Sequence, residues 1–407
     1  MEYDFDEVID RRGTNAMNTE GFREYIFHVP PDFKFPYPDE ELIRMWVADM
    51  EFAVPPEIIQ GIKDRLDRRI FGYSKIFDPA YFQAFSGWVR RHHGWDIREE
   101  ELVTSPGVIP ALYGLVELLC KPDEKVLFVT PSYAYFKYAA DYNHIAVATS
   151  DLLEDRGRYW MDYQDLEAKA RDPKTTLCIF CNPHNPTGRV WTPEELARFG
   201  RICLDHGLWI ISDEIHCDLL RCDQVHTPLA KVIPDSDRII TCMAPSKTFN
   251  LAGLMFANVL IPSAELRQAW IDRHFPLVNP LSVAAAQAAY SRCDEWHGQL
   301  RRYLDRNFEF TRDFLAEHLP ECVFRIAEAT YLAWLDVRAY LPEERDLPMF
   351  FATRAGVLLE GGDMFVSNSA GRIRLNLACP RAMLKVGLER IKCALLRAKA
   401  GGVAGRA

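Results

Sequence analysis

The chain has 407 residues, 48% of them hydrophobic and 26% charged, enough for two or three domains of ordinary size around a substantial core. Its net charge of −10 argues against a nucleic-acid partner, which needs a basic face, and no apolar run approaches the ~20 residues of a membrane span. The acidic residues 1–7 lack the basic and apolar regions of a signal peptide, and the 11 cysteines are odd in number and scattered through apolar segments, so a reducing, cytoplasmic setting is expected.

Residues 1–44 are rich in proline, aromatic and charged residues without a sustained period, and read as an arm that wraps something else. From about 54 to 278, short apolar runs alternate with amphipathic stretches. The runs 126–129, 176–180, 208–211, 239–243 and 257–260 each predict a buried strand. Continuous apolar strands separated by helices predict a mostly parallel sheet covered on both faces. Cys178 and Cys181 fall inside one such run and read as small core residues rather than a redox or zinc pair. Thr192, Pro193 and Glu195 form a capping-box signature for a helix running through Leu196, Phe199, Ile202 and Cys203. Residues 280–319 read as helical, with Pro320 as the stop. A strand at 331–335, a helix at 348–355, a strand at 372–377 and a closing helix from about Ala382 follow. This pattern predicts a smaller α+β domain, with the tail near Gly401 and Gly402 frayed.

The chemistry-bearing residues fall just past the carboxyl ends of the predicted parallel strands, where open α/β sheets bind ligands. Lys247 follows the 239–243 run, so burial should depress its pKa and free a neutral amine able to bind an aldehyde cofactor covalently. Each neighbour then suits one part of pyridoxal 5'-phosphate (PLP). Asp213 would sit against the ring nitrogen and keep it protonated, and Asn185 would donate to the ring oxygen. Arg374 would grip a substrate carboxylate with its two-pronged fork. Backbone N–H groups at Gly107, Val108 and Ile109, ahead of a helix over 111–119, would cradle the phosphate, with the Ser246 hydroxyl beside them. Tyr133 would stack on the ring. Singly, each of these reads as a turn, cap, surface or core-edge residue; the motifs together, in this order, are hard to obtain from turn chemistry. His184, His216 and His226 lack helical i, i+4 spacing and a carboxylate pattern, so no metal is expected. Motif residues at 213–247 and at 374 place the site at a domain junction.

On Asn185-Pro186-Thr187-Gly188, Asp213, Ser246-Lys247 and Arg374, the chain resembles the fold-type-I PLP enzymes of the class I/II aminotransferase superfamily. More narrowly it resembles the MalY/PatB group of cystathionine beta-lyases. That likeness runs through Asp10-Arg11-Arg12-Gly13, Trp46-Val47-Ala48-Asp49, Phe71-Gly72-Tyr73, Asp213-Glu214-Ile215-His216, and Arg374 through Arg381. The resemblance implies an α/β, aspartate aminotransferase-like fold. A large domain with a mostly parallel mixed sheet between helices would span 54–285, and a smaller α+β domain 286–407, with 1–53 as an arm and part of the small domain. It also implies a homodimer in which Tyr73 reaches the cofactor phosphate of the neighbouring subunit, and a substrate pocket lined by Ala48 and the loop around Asp49. His216 stands where aminotransferases carry tyrosine, as in the lyase subgroup. Met255 replaces a phosphate-binding arginine and Ala244 a hydroxyl residue. Ala329 stands where glycine is expected, which should narrow the substrate channel. The implied reaction is α,β-elimination of an L-cysteine S-conjugate to a thiol, pyruvate and ammonia. An aminotransferase acting on amino acids with the same residues is the alternative, and a PLP-bearing regulatory protein a further one.

Overall fold

The computed structural model describes residues 2–404. Seven strands form the central sheet: β1 Leu102–Ser105, β2 Lys125–Thr130, β3 Ala146–Asp151, β4 Thr175–Cys181, β5 Trp209–Asp213, β6 Ile239–Met243 and β7 Ala257–Leu260. Their order across the sheet is β1–β7–β6–β5–β4–β2–β3. β7 runs antiparallel to both of its neighbours; the β6–β5–β4–β2–β3 pairings are all parallel.

Successive side chains of a strand point to opposite faces, and here both faces are dry. Val126, Phe128, Ile179 and Ile211 pack with the helix Val108–Leu119 on one face. Their neighbours Leu127, Phe180 and Ile210 pack with Leu196 and Phe199 of the helix Pro193–Asp205 on the other. That is why these strands read as unbroken apolar runs. The second helix starts on the expected capping box: Thr192 Oγ1 accepts from the Glu195 N–H at 3.2 Å, and Glu195 Oε2 accepts from the Thr192 N–H at 2.9 Å. Cys178 and Cys181 are buried in β4 with free thiols.

Four shorter strands make a second, antiparallel sheet: β8 Val323–Phe324, β9 Leu332–Asp336, β10 Glu360–Gly361 and β11 Arg372–Asn376, ordered β8–β9–β11–β10. The arm is tied to this part of the chain. Ile43–Arg44 pairs in parallel with Val357–Leu358, and Phe22, Phe35 and Trp46 share an apolar cluster with Leu358. The long helix Asp294–His318 stops before Pro320, as expected. The stretch expected as helical over 280–319 is two helices, Pro280–Arg292 and Asp294–His318, parted at Cys293, and several strand and helix ends shift by one or two residues; two further differences bear on the site and the tail. The helix expected over 111–119 begins at Val108, because the backbone turn at Gly107 supplies its start. The closing helix Arg381–Ala404 continues through Gly401 and Gly402 instead of fraying there, since Ala, Leu and Lys in the preceding turns favour the helical state; residues 405–407 lie outside the described residues.

Candidate active site

The parallel register lines up the strand ends. Cys181 of β4 lies opposite Asp213 of β5, which lies opposite Cys242 of β6. Whatever follows these strands therefore gathers along one sheet edge. Asp213 ends its strand, Asn185 follows β4 by a short loop, and Lys247 sits on the one-turn helix Pro245–Thr248 directly after β6. Arg374, from the middle of β11, closes over them from the second sheet and donates from Nη1 to Asn185 Oδ1 at 3.2 Å.

Lys247, Asp213, Asn185, His216, Ser246 and Arg374 line one cavity of about 260 Å³. Ala48 and Tyr133 form further parts of its wall, and Gly107, Val108 and Ile109 bring the start of the helix Val108–Leu119 to it. Gly107 has φ +156° and ψ 168°, a conformation essentially reserved for glycine, and no side chain caps this helix. Its first N–H groups are open to an anion. Tyr73 is not in the cavity; it stands 96% exposed on the surface.

Burial sets the charge states. It draws the Lys247 amine down to about 8, against the pull of nearby carboxylates led by Asp49. Lys247 Nζ donates to the Ala48 carbonyl at 2.7 Å. Burial pushes Asp213 up to about 7, and its hydrogen-bond partner is a single backbone donor, Ile215 N–H at 3.2 Å. No salt bridge reaches it among the described residues. His216 is buried and held down at about 3, and its Nδ1 has no partner; neither does Arg374 Nε. A buried carboxylate with no salt-bridge partner among the described residues, an open helix start and a depressed lysine fit the ring nitrogen, phosphate and aldehyde of PLP.

The lysine is braced from below. Asp218 Oδ2 accepts from the Thr248 hydroxyl at 2.8 Å, one residue past Lys247. Its other oxygen accepts from Trp88 Nε1 at 3.0 Å and lies 2.9 Å from His93 Nε2. His93, Cys217 and Asp218 bring metal-ligand atoms within 4.8 Å of one another. Both Asp218 oxygens are already engaged, and burial pushes the Cys217 thiol well up, so this cluster holds the lysine helix in place.

Two expectations need correction or addition. Ala329 does not narrow the cavity. It is fully buried beside Val190 and Leu220, and its N–H donates to Gly188 O at 2.9 Å, because the chain turns at Thr330 (φ +69°) before entering β9. The sequence reading also missed Tyr25, Tyr331 and Glu360. Tyr25 and Glu360 line the cavity, and Tyr331 Oη donates to the same Ala48 carbonyl as Lys247, at 2.7 Å. Met255 borders the cavity with a thioether and Ala244 is buried with a methyl, so neither supplies a phosphate donor.

Three buried histidines set the acid limb of stability. Burial holds His184 and His216 at about 3 and His297 at about 4. The unfolded chain protonates these rings at ~6.5, so below that value it binds more protons than the fold and stability falls as pH drops. Asp213 opposes this, since its raised pKa gives the fold the extra proton between ~4 and neutrality. Burial also raises the Glu51, Glu360 and Asp363 carboxyls, which oppose the loss in the same sense as Asp213; the three histidines, each losing roughly 2 kcal/mol between neutrality and pH 5, are expected to prevail. Urea melts of the cofactor-free protein should show a lower midpoint at pH 5 than at pH 7; equal midpoints would mean that these rings are not buried neutral.

A family model described as aminotransferase class I and II matches residues 40–391. Cystathionine beta-lyase PatB of Bacillus subtilis (strain 168) is 38% identical over 96% of this chain and 99% of its own length. Protein MalY of Escherichia coli (strain K12) is 30% identical over 95% of this chain and 97% of its own. The crystal structure of the PLP-bound C-S lyase from Staphylococcus hominis superposes with a TM-score of 0.93 at 47% identity, covering 97% of this chain and 98% of that one.

Proposed function

The chain belongs to the aminotransferase class I and II family, and within it we propose that the protein is a PLP-dependent carbon–sulfur β-lyase of the MalY/PatB group. Its substrates are L-cysteine S-conjugates such as cystathionine, and its products a thiol, pyruvate and ammonia. The depressed amine of Lys247, sharing one cavity with the carboxylate Asp213 and the carboxylate-binding fork Arg374, carries the PLP reading; the likeness to cystathionine beta-lyase PatB and to the Staphylococcus hominis C-S lyase carries the choice of elimination over transamination.

When bound, PLP supplies an aldehyde that captures the substrate amine and a cationic ring that takes up the electrons of a broken Cα–H bond, so that the β-sulfur can leave. The chain's own residues do the rest. Lys247 would hold the cofactor, and its neutral amine would take the substrate Cα proton as general base and hand it to the leaving sulfur. Asp213 keeps a proton on the ring nitrogen. Arg374 and Asn185 hold the substrate carboxylate, with Ala48 on the adjoining wall. The Gly107–Ile109 backbone and Ser246 hold the phosphate. Tyr133 would pack on the ring and Asn185 Nδ2 would donate to the ring oxygen, its Oδ1 being taken by Arg374, while His216, neutral in its buried place, would border the cofactor.

We place the boundaries of the two domains at 54–285 and 286–407, with 1–53 joining the small one; the pairing of Ile43–Arg44 with Val357–Leu358 supports the last assignment. The protein is further read as a cytoplasmic homodimer. Free cysteines support the first part, and no helix among the described residues is long and apolar enough to cross a membrane. The exposed Ile70, Phe71, Phe77 and Phe275 support the second. In that dimer Tyr73 reaches the phosphate of the neighbouring subunit. Mixed dimers of Lys247→Ala and Tyr73→Ala chains should therefore regain turnover that neither homodimer has. No regain on mixing would place Tyr73 outside the neighbour's site.

Incubating the purified holoenzyme with cystathionine, without an added 2-oxo acid, tests the reaction. Stoichiometric pyruvate and thiol are expected. Turnover that requires a 2-oxo acid acceptor would assign it as an aminotransferase.

A further inference from the structure

The active-site cavity does not end at Arg374. Tyr25, Tyr133 and Glu360 line both it and a larger outer cavity of about 830 Å³. Glu360 stands at the join. It is only 6% exposed and lies on β10 directly across from Arg374 on β11. Its carboxylate is ion-paired with Arg374 Nη2, while Nη1 is engaged by Asn185 and Nε has no partner. The guanidinium therefore already carries a carboxylate.

A substrate carboxylate is gripped best by two N–H groups on one edge of that fork. Every such edge that includes Nη2 is shared with Glu360. Two buried carboxylates against one guanidinium repel each other, so Glu360 and an incoming carboxylate compete for Nη2. The outer cavity is the space left to Glu360, which also borders it. The wall there includes Glu20, Glu24 and Asp363, with no lysine or arginine among its described lining residues; His28 is its one basic group. Because the two cavities share Tyr25, Tyr133 and Glu360, the join offers a substituent on the substrate sulfur a route outward from the inner one.

We propose that Glu360 is a specificity-determining residue. It occupies Arg374 until a substrate carboxylate displaces it. It then faces the sulfur substituent together with the acidic outer wall, favouring L-cysteine S-conjugates with a cationic substituent over those with an anionic one. The inference rests on the β-lyase reading for its substrate class.

The test compares S-(2-aminoethyl)-, S-ethyl- and S-carboxymethyl-L-cysteine, which are similar in size and differ in charge, on the holoenzyme. The expected kcat/KM order is aminoethyl, ethyl, carboxymethyl, spanning ~10-fold or more. Glu360→Gln should compress that span and lower the KM for the S-ethyl conjugate, which a purely structural role would not do. Melting temperature and cofactor content check that the variant folds; if it does not, the wild-type order alone decides. A flat or reversed wild-type order, or an order and KM unchanged in a folded Glu360→Gln variant, overturns the proposal. If none of the three releases pyruvate, the lyase reading fails instead. Dissociation constants of the same amino acids, measured by calorimetry, then decide on Glu360 by the same ranking.

Discussion

Lys247→Ala is expected to abolish elimination, lowering turnover by ~10⁴-fold or more, because one substitution removes both the covalent anchor and the general base. The purified variant should also lose the absorbance of covalently held cofactor. The fold should survive. The Ala48 carbonyl, which accepts from Lys247 Nζ, keeps its second donor, Tyr331 Oη. The loop around it is held by further bonds: Arg11 Nη2 to Asp49 Oδ2 at 2.6 Å and Asn376 Nδ2 to Val47 O at 2.8 Å. Nor does the lysine stabilise the empty protein. Its amine lies at about 8 in the fold, below the value of a free lysine, so at neutral pH burial of the ammonium opposes folding, and that penalty fades as pH rises from there toward the ~10.4 of an unfolded lysine. The cofactor-free variant should therefore melt no lower than the cofactor-free wild type at pH 7. Retained turnover, or retained absorbance, would show that another amine holds the cofactor.

The residues legible in the sequence share a physical reason. Asn185, Asp213 and Lys247 each follow an apolar run, and a parallel sheet buried on both faces must put all its carboxyl ends along one edge. Once the runs are read as parallel strands, their proximity follows. Gly107 was legible in the same way, as a turn ahead of a helix. Glu360 was not, because its role depends on which strand pairs with β11 and in what register. That pairing crosses an irregular connection, Gly362–Met364 and Phe365–Val366, in which no turn motif or alternation marks the register. Tyr25 was hidden for a related reason. It belongs to an arm without period, which docks through long-range contacts such as the packing of Tyr25 on Trp46, ring centres 5.4 Å apart, and the cluster of Phe22 and Phe35 with Leu358. The reading of Ala329 failed because a position in a motif says nothing about which way the side chain turns. Here it packs with Val190 and Leu220, outside the cavity wall.

Asp213→Asn is expected to reduce turnover by ~10²–10³-fold with the cofactor still attached to Lys247. Removing one preorganised electrostatic partner from a buried site has effects of that order. The amide keeps the carboxylate's shape and can still accept from the Ile215 N–H, so the geometry of the edge is retained. What it lacks is the charge that holds a proton on the ring nitrogen. The same substitution should shift stability in the opposite sense when the protein is empty. The Asp213 carboxyl lies at about 7 in the fold, above its value in an unfolded chain, so ionisation in the empty site disfavours folding increasingly as pH rises through that range. Cofactor-free Asp213→Asn should gain melting temperature over cofactor-free wild type, and gain more at pH 8 than at pH 5. Loading the cofactor should erase or invert that advantage, because the wild-type carboxylate then has its cation. Turnover within a few-fold of wild type, or a melting difference that ignores both pH and cofactor, would remove Asp213 from the ring nitrogen.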